Sequence, residues 1–424
     1  MEVDVGAQEE LLGKGDLGEE DGDEDRHDEQ EGLTEMEEKE EEEKGQMSNF
    51  TKTYYRLITS YAADGKPPIE WLQLLTNPFS RQRRQHLSQK VDTFLRDFVQ
   101  RKHLSEFHAH TSQQQPQSHP STTTTFTQHG SKTAAPKSRS ILSLSLSDQT
   151  NSPVLPEKIL STTTDALKTF LFAGHDTTAI LIGWVLYYLS ICPRAHARIC
   201  SELDSLFGGP SASPAEIRAQ LSGPEGPEKL NQMVYTHAVI KEALRLHPPA
   251  GTARRAEVGS GFVVTEEKGG RGEGGEWNLD GMVLYNCATI IHRDPSVYGE
   301  TKDEFWPERW LSESENKGEI PAGAWRPFER GPRDCIGRDL AIIEAKVVVA
   351  LVHRRYEFVK VGLGEKVLVP QDGPDREERP VVDRTGCCMV KEKLYTRRQV
   401  TARAADGMRM KVRLVKGVVG NLEG

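Results

Sequence analysis

Phe328-Glu329-Arg330-Gly331-Pro332-Arg333-Asp334-Cys335-Ile336-Gly337 sets one cysteine in a loop punctuated by Gly and Pro, just ahead of an apolar run. If that run is a helix, the thiol stands at its N-terminus, where the positive end of the helix dipole and unpartnered backbone N–H groups favour a thiolate. Gly331 and Gly337 let the backbone pass close to a flat object. Arg333, two residues before Cys335, can reach an anionic group beside it. These are the parts needed to hang haem iron on a thiolate. An inert buried cysteine explains the loop, taken alone, equally well.

Two further constellations need helices to display them. Glu242-Ala243-Leu244-Arg245 places opposite charges three apart on one face of a helix that is otherwise apolar (Val239, Ile240, Leu244, Leu246). A solvated surface pair, worth little, is the plain alternative. Ala173-Gly174-His175-Asp176-Thr177-Thr178 puts one Gly and two Thr in the middle of a long apolar helix, where all three are unfavourable. A Thr hydroxyl can bond the carbonyl one turn back and bend the helix. Such a bend would open a niche for a small ligand, to which Asp176 and Thr177 could relay protons; an imperfect core helix carries equal weight. Other patterns carry less. Gly270-Arg271-Gly272-Glu273-Gly274-Gly275 has the spacing of a phosphate loop, but no helix opens after it, so a surface loop is expected. His292-Arg293-Asp294 resembles a kinase catalytic loop without the D-F-G or V-A-I-K that must accompany it. His108 and His110 are expected to be solvated.

The elements that must position these residues can be read from periodicity and punctuation. Helices are predicted over 156–190, ended by Pro193; over 194–207, closed by Gly208-Gly209; over 229–247, ended by Pro248-Pro249; and over 337–354. Ser80 to Lys102 reads as an amphipathic helix. Ile141 to Ser147 alternates Leu and Ser, which predicts a short strand. Strand-like runs lie at Gly261–Thr265 and Met282–Leu284, and Val400–Val415 reads as a hairpin turning on Asp406-Gly407.

The chain has 424 residues, 36% hydrophobic and 28% charged, with a formal charge of −10. Residues 1–47 hold 21 Asp and Glu against 4 Lys and Arg, which leaves 43 acidic and 50 basic residues in the remainder. This predicts an acidic disordered tail over 1–47, a near-neutral folded region over 48–415 with a low-complexity insertion at 105–138, and a tail over 416–424. That balance gives no reason to expect nucleic acid as a partner. Six cysteines do not form a disulfide framework, the absence of a C-x-x-C spacing also argues against a structural zinc site, and the set suits a reducing compartment. No basic stretch followed by an apolar run marks a signal peptide. The longest uncharged apolar stretch, Thr177–Pro193, has 17 residues. It falls short of the roughly 20 of a membrane span and predicts a core helix.

Taken together and in this order, the three constellations resemble the cytochrome P450 superfamily of haem-thiolate monooxygenases, and the phrase His247-Pro248-Pro249-Ala250-Gly251-Thr252-Ala253-Arg254 looks like its fungal members. Phe328, Gly331, Arg333, Cys335 and Gly337 fill the F-x-x-G-x-R-x-C-x-G signature. Glu242 and Arg245 match the E-x-x-R pair, Ala173 to Thr178 the A-G-x-D-T-T oxygen-binding segment, and Pro307-Glu308-Arg309-Trp310 the P-E-R-F/W segment. The resemblance implies a mainly α fold with a small β subdomain. It implies haem b with its iron on Cys335, approached by Phe328, Gly331, Gly337 and Gly174, and with Arg254 and Arg333 on the propionates. Thr177 and Asp176 would order water and protons, and Glu242, Arg245 and Arg309 would form a buried salt-bridge cluster. The implied reaction inserts one oxygen atom from O2 into an apolar small-molecule substrate, with electrons from NADPH through NADPH-cytochrome P450 reductase. It would take place in the cytoplasm or on the cytoplasmic face of the endoplasmic reticulum.

The departures are specific. Full-length members carry an anchor helix and a W-x-x-x-R helix ahead of the oxygen-binding segment; this sequence has no W-x-x-x-R, and its acidic 1–47 stands where the anchor would be. The N-terminal part of the fold is therefore expected to be missing or replaced, and membrane association to belong only to a full-length form. Two other classes stay open: a truncated remnant unable to retain haem, and a haem-thiolate enzyme that needs no reductase. The second class often lacks the Asp176-Thr177 pair.

Overall fold

A computed structural model describes residues 45–58, 60, 78–114, 140–149, 152–209, 212–266, 275–311, 320–370, 378–398 and 401–415. The chain divides into two compact units, one within residues 8–173 and the other running from Gly174 to Gly424.

The first unit holds helices α1 (45–58), α2 (Pro78–Gln114) and α3 (Ile141–Leu146), and the N-terminal half of α4 (Glu157–Ile191). Val91, Leu95 and Val99 recur every four residues along α2 and are buried. Val91 and Leu95 pack with Tyr54 of α1, and Val99 with Leu142, Leu146 and Leu160. The insertion expected at 105–138 begins later than its composition suggests. Residues 105–114 continue α2, where Lys102 pairs with Glu106 at 3.0 Å and Glu106 accepts from Ser143 Oγ at 2.8 Å. His108 and His110 are thus helical, and 115–139 lies outside the described residues, as do 1–44, 416–424 and the Gly-rich 270–274. The strand expected at Ile141–Ser147 is a helix. Ser140 caps it by accepting the Ser143 N–H at 3.0 Å, and Leu142 and Leu146, one turn apart, are its buried pair. Over six residues, Leu at every second position also satisfies a helical i, i+4 stripe, so period alone does not separate the two.

The second unit contains the C-terminal half of α4, then α5 (Pro193–Phe207), α6 (Pro214–Ser222), α7 (Gly226–Gln232), α8 (Val234–Leu246), α9 (Ala288–Ile291), α10 (Pro295–Tyr298) and α11 (Arg338–Val352). α4 is the described helix whose length and composition would suffice to cross a membrane. Its last turns nevertheless carry Leu181, Trp184, Val185, Leu189 and Ile191 into the main core, as the sequence predicts. Trp184 stacks on His247 with ring centroids 3.4 Å apart, and Tyr188 bonds His247 Nε2 at 2.8 Å. Ala195, Ile199, Leu203 and Phe207 of α5 and nearly all of α8 are buried in the same core. The single helix expected over 229–247 is broken at Met233. The Glu202 carboxylate reaches across from α5 and accepts the N–H groups of Tyr235 (2.6 Å) and Thr236 (2.9 Å), so it caps a new helix start that no nearby residue signals.

Among the described residues, five two-stranded antiparallel sheets accompany the helices. β1 (Thr252–Arg255) pairs with β4 (Val283–Asn286), and β2 (Val263–Glu266) with β3 (Gly275–Asn278). β5 (Tyr356–Lys360) pairs with β10 (Met410–Leu414), β6 (Leu368–Pro370) with β7 (Glu378–Pro380), and β8 (Thr396–Arg398) with β9 (Ala402–Ala404). The hairpin expected over 400–415 does not form, because its two runs pair elsewhere. Asp406-Gly407 does turn the chain, with Gly407 at φ +73, but it joins strands of two different sheets. Asp406 is held there by Lys360 at 2.5 Å, a pair almost wholly buried.

Candidate functional site: a cysteine loop braced by a buried ion cluster

The loop before α11 is closed on itself. The Cys335 N–H donates to the Phe328 carbonyl at 2.9 Å, the Asp334 N–H to Gly331 at 3.1 Å, and the Glu329 N–H to Arg326 at 3.1 Å. The reversal needs left-handed backbone at Glu329 (φ +58) and Gly331 (φ +88). Glycine takes that region without cost, and Glu329 is held in it by its contacts. Its carboxylate accepts from Arg326 at 2.6 Å, from Asn286 at 3.3 Å and from Thr252. Partial burial works to raise the Glu329 carboxyl, but the bonds from Thr252 and Arg326 outweigh it and leave the group below its ordinary value. Glu329 thereby ties the loop to β1 and β4, and β1 carries Arg254 two residues beyond Thr252.

Cys335 itself is exposed. Gly337 is the N-cap of α11, and the N–H groups of Ile336 and Gly337 donate to no acceptor among the described residues. They are the orphan donors of a helix start, next to the sulfur. A Cβ at Gly337 would stand 3.9 Å from Cys335 Sγ, and one at Gly331 would meet nothing within 4 Å. Ile336, Leu340 and Ile343, spaced i, i+4, i+7 from one another, are 87%, 57% and 43% exposed. Arg333 makes no hydrogen bond or ion pair among the described residues, and Arg254 bonds only its neighbour's carbonyl at 3.0 Å. An exposed sulfur, a space kept clear by glycine, an apolar stripe and two uncommitted guanidinium groups fit a flat apolar ligand with anionic arms.

Behind the loop, Glu242 and Arg245 are fully buried and doubly bonded, Nη2 to Oε1 at 2.8 Å and Nε to Oε2 at 2.9 Å. Arg309 Nε reaches Oε1 at 3.1 Å, and the Trp306 N–H and Trp310 Nε1 complete the carboxylate's shell at 2.9 Å each. The rest of the Arg245 guanidinium donates to the carbonyls of His292, Lys302 and Glu304. His292, which carried no weight in the sequence, is the link from this cluster to the loop. Its Nδ1 faces the Arg245 carbonyl at 3.1 Å, and its Nε2 accepts the Arg326 N–H at 2.9 Å. Burial lowers the His292 imidazole to about 4, against which its bond to the Arg245 carbonyl works only partly. The ring is therefore neutral, with its proton on Nδ1. Trp325 Nε1 adds a second tie, to the Lys241 carbonyl at 3.1 Å.

The Gly174–Thr178 segment is tied through Asp176 to residues near the C-terminus. Gly174 has nothing within 4 Å of a built Cβ, and Thr178 is buried. Asp176 is engaged by Thr401 Oγ1 and by both the Nη2 and Nε of Arg403. Neither partner has a signal in the sequence, since both lie 225 or more residues away.

A family model for cytochrome P450 matches residues 35–266 and 278–371. Curated relatives include the cytochrome P450 monooxygenase polC of Polytolypa hystricis, 37% identical over 45% of this chain and 32% of that protein. Another is the monooxygenase acrF of Aspergillus aculeatus, 34% identical over 46% of this chain and 40% of that protein. A bifunctional cytochrome P450/NADPH–P450 reductase of Gibberella moniliformis is 34% identical over 50% of this chain and 16% of its own length. The chain therefore covers well under half of each of these relatives. A crystal structure of a cytochrome P450 aligns with a TM-score of 0.52 at 20% identity, covering 86% of this chain and 64% of the other. With the cysteine loop, the buried Glu–Arg cluster and a mainly α architecture in place, these matches show that the chain belongs to the cytochrome P450 family.

Proposed function

We propose that the protein is a haem-thiolate monooxygenase that inserts one oxygen atom from O2 into an apolar small-molecule substrate, with NADPH electrons delivered by a reductase. Cys335 carries the reading: an exposed sulfur at the start of α11, with orphan N–H groups beside it and no side chain on Gly337 to cover it. Haem b, when bound, supplies the oxygen activation and electron transfer that amino acids lack. Cys335 Sγ is its ligand, and the Ile336 and Gly337 N–H groups favour negative charge on that sulfur. Arg254 and Arg333 neutralise the propionates, while Ile336, Leu340 and Ile343 keep water from the ligand side. Phe328, half-buried beneath the loop with its ring edge-on to Trp325, keeps the loop from collapsing. Glu242, Arg245 and Arg309 hold the loop through His292 and Trp325 without touching substrate. Gly174 leaves the neighbouring helix surface open, Thr177 orders water there, and Asp176 accepts and returns protons under the control of Arg403. The electron donor is argued by likeness to the bifunctional relative, whose own chain includes the reductase. Six free cysteines agree with a reaction in the cytoplasm or on the cytoplasmic face of the endoplasmic reticulum.

The test is turnover under 18O2 by haem-loaded protein with a fungal reductase, NADPH and a panel of apolar acids and hydrocarbons. One labelled oxygen per product is expected. Thr177→Ala should keep the haem spectrum while diverting NADPH electrons to peroxide. Unlabelled product, or unchanged coupling in an active Thr177→Ala preparation, contradicts the assignment.

A further inference from the structure

We propose that His196, Cys200 and His353 form a zinc site that fastens α5 to the C-terminal end of α11. His196 and Cys200 are one turn apart on α5, so both project from one face. His353 is the C-cap of α11, the helix that starts at the Cys335 loop. One ligand atom from each of the three lies within 4.8 Å of the others. Cys200 Sγ and His196 Nε2 are 3.7 Å apart. Zinc–sulfur and zinc–nitrogen bonds of about 2.3 and 2.0 Å, set at the tetrahedral angle, put such a pair about 3.5 Å apart. Two of the three ligands are thus already at the right separation.

His353 points independently to a ligand. It is 3% exposed, and neither of its ring nitrogens has a hydrogen-bond partner. A buried imidazole without partners is costly, and such groups call for an explanation. Its ring lies 4.6 Å from that of His196, edge to face, a contact that satisfies neither nitrogen.

Two imidazoles and a thiol, with no carboxylate among them, select zinc over magnesium or calcium. On binding, the Cys200 proton leaves to solvent and the sulfur–zinc bond forms. Solvent-facing His196 leaves a fourth position for water. Arg354, next to His353 and just past the end of α11, pairs with Asp204 of α5 at 2.7 Å, so the chain at the end of α11 is already tied to α5 beside the site. The 15 residues of α11 separate this site from Cys335 by roughly 22 Å of helix. A metal here would steady α11 from the end opposite the cysteine loop and take no part in its chemistry.

The experiment uses the full chain loaded with haem and dialysed against buffered nanomolar zinc. It reads zinc per chain and, peptide by peptide, the rate at which iodoacetamide alkylates Cys200. Zinc should slow alkylation of Cys200 at least about tenfold. The exposed-side variant His196→Ala should weaken zinc binding by at least about tenfold and remove the protection, with the haem spectrum unchanged. Alkylation of Cys200 at the same rate with and without zinc, or full protection retained in His196→Ala, overturns the proposal. Both readouts are independent of Cys335, so neither result bears on the haem assignment.

Discussion

Replacing Glu242 with Gln tests the ion cluster with almost no change in side-chain size. Glu242 accepts five hydrogen bonds: Arg245 Nη2, Arg309 Nε and the Trp306 N–H on Oε1, and Arg245 Nε and Trp310 Nε1 on Oε2. An amide must present its NH2 to one of these two sets, so two or three donors face another donor, and the Arg245 charge loses its counterion at full burial. Breaking a buried pair from one side costs ~3–5 kcal/mol. For a domain of this size each kcal/mol lowers the melting temperature by about 2–4 °C. Glu242→Gln should therefore melt roughly 6–20 °C below the parent when followed by far-ultraviolet circular dichroism. Adding Arg245→Met should not double the loss, because the stranded charge goes with it; a coupling of about 1 kcal/mol or more is expected. A loss below about 1 kcal/mol in Glu242→Gln would mean that water reaches these donors, and the bracing role would fail.

Two further outcomes follow from the loop and its tie. Burial depresses the His292 imidazole from 6.5 to about 4. The folded chain thus resists a proton that the unfolded chain accepts, so this stability is complete above pH 6.5 and is lost as pH falls toward 4, by about 3 kcal/mol in all. Urea titrations at pH 7, 5.5 and 4.5 should show the gap between parent and His292→Gln narrowing in acid; a constant gap would mean His292 does not titrate in this window. Gly337→Val keeps an ordinary backbone angle (φ −89) but puts a branched side chain beside the sulfur. Haem per chain should fall severalfold while the melting temperature of haem-free protein stays within about 2 °C; undiminished haem would remove the glycine's role.

The sequence made legible what local chemistry determines. Pro193 and Gly208 bound α5 where they punctuate the chain, and the apolar run after Cys335 forms α11 within two residues of the expected ends. Ile141–Ser147 misled because its short period is ambiguous; elsewhere a distant residue decides. Glu202 starts α8 from another helix. The run at 410–414 pairs with 356–360, more than 50 residues earlier, and not with the strand before it. Asp176, legible as a proton carrier, gains partners in Thr401 and Arg403 that no local pattern announces. His292 was legible only as part of a kinase-like tripeptide, whereas its work is to join the Arg245 carbonyl to the Arg326 N–H.

The central claim is that Cys335, among six free cysteines, holds haem as a thiolate. The most direct test is the carbon monoxide difference spectrum of the reduced, haem-supplied protein. The parent and Cys387→Ser, which alters a cysteine buried in the main core, should both give the thiolate-type Soret shift, and Cys335→Ser should abolish it. Equal loss in both variants, or a parent that binds no haem, would contradict the account.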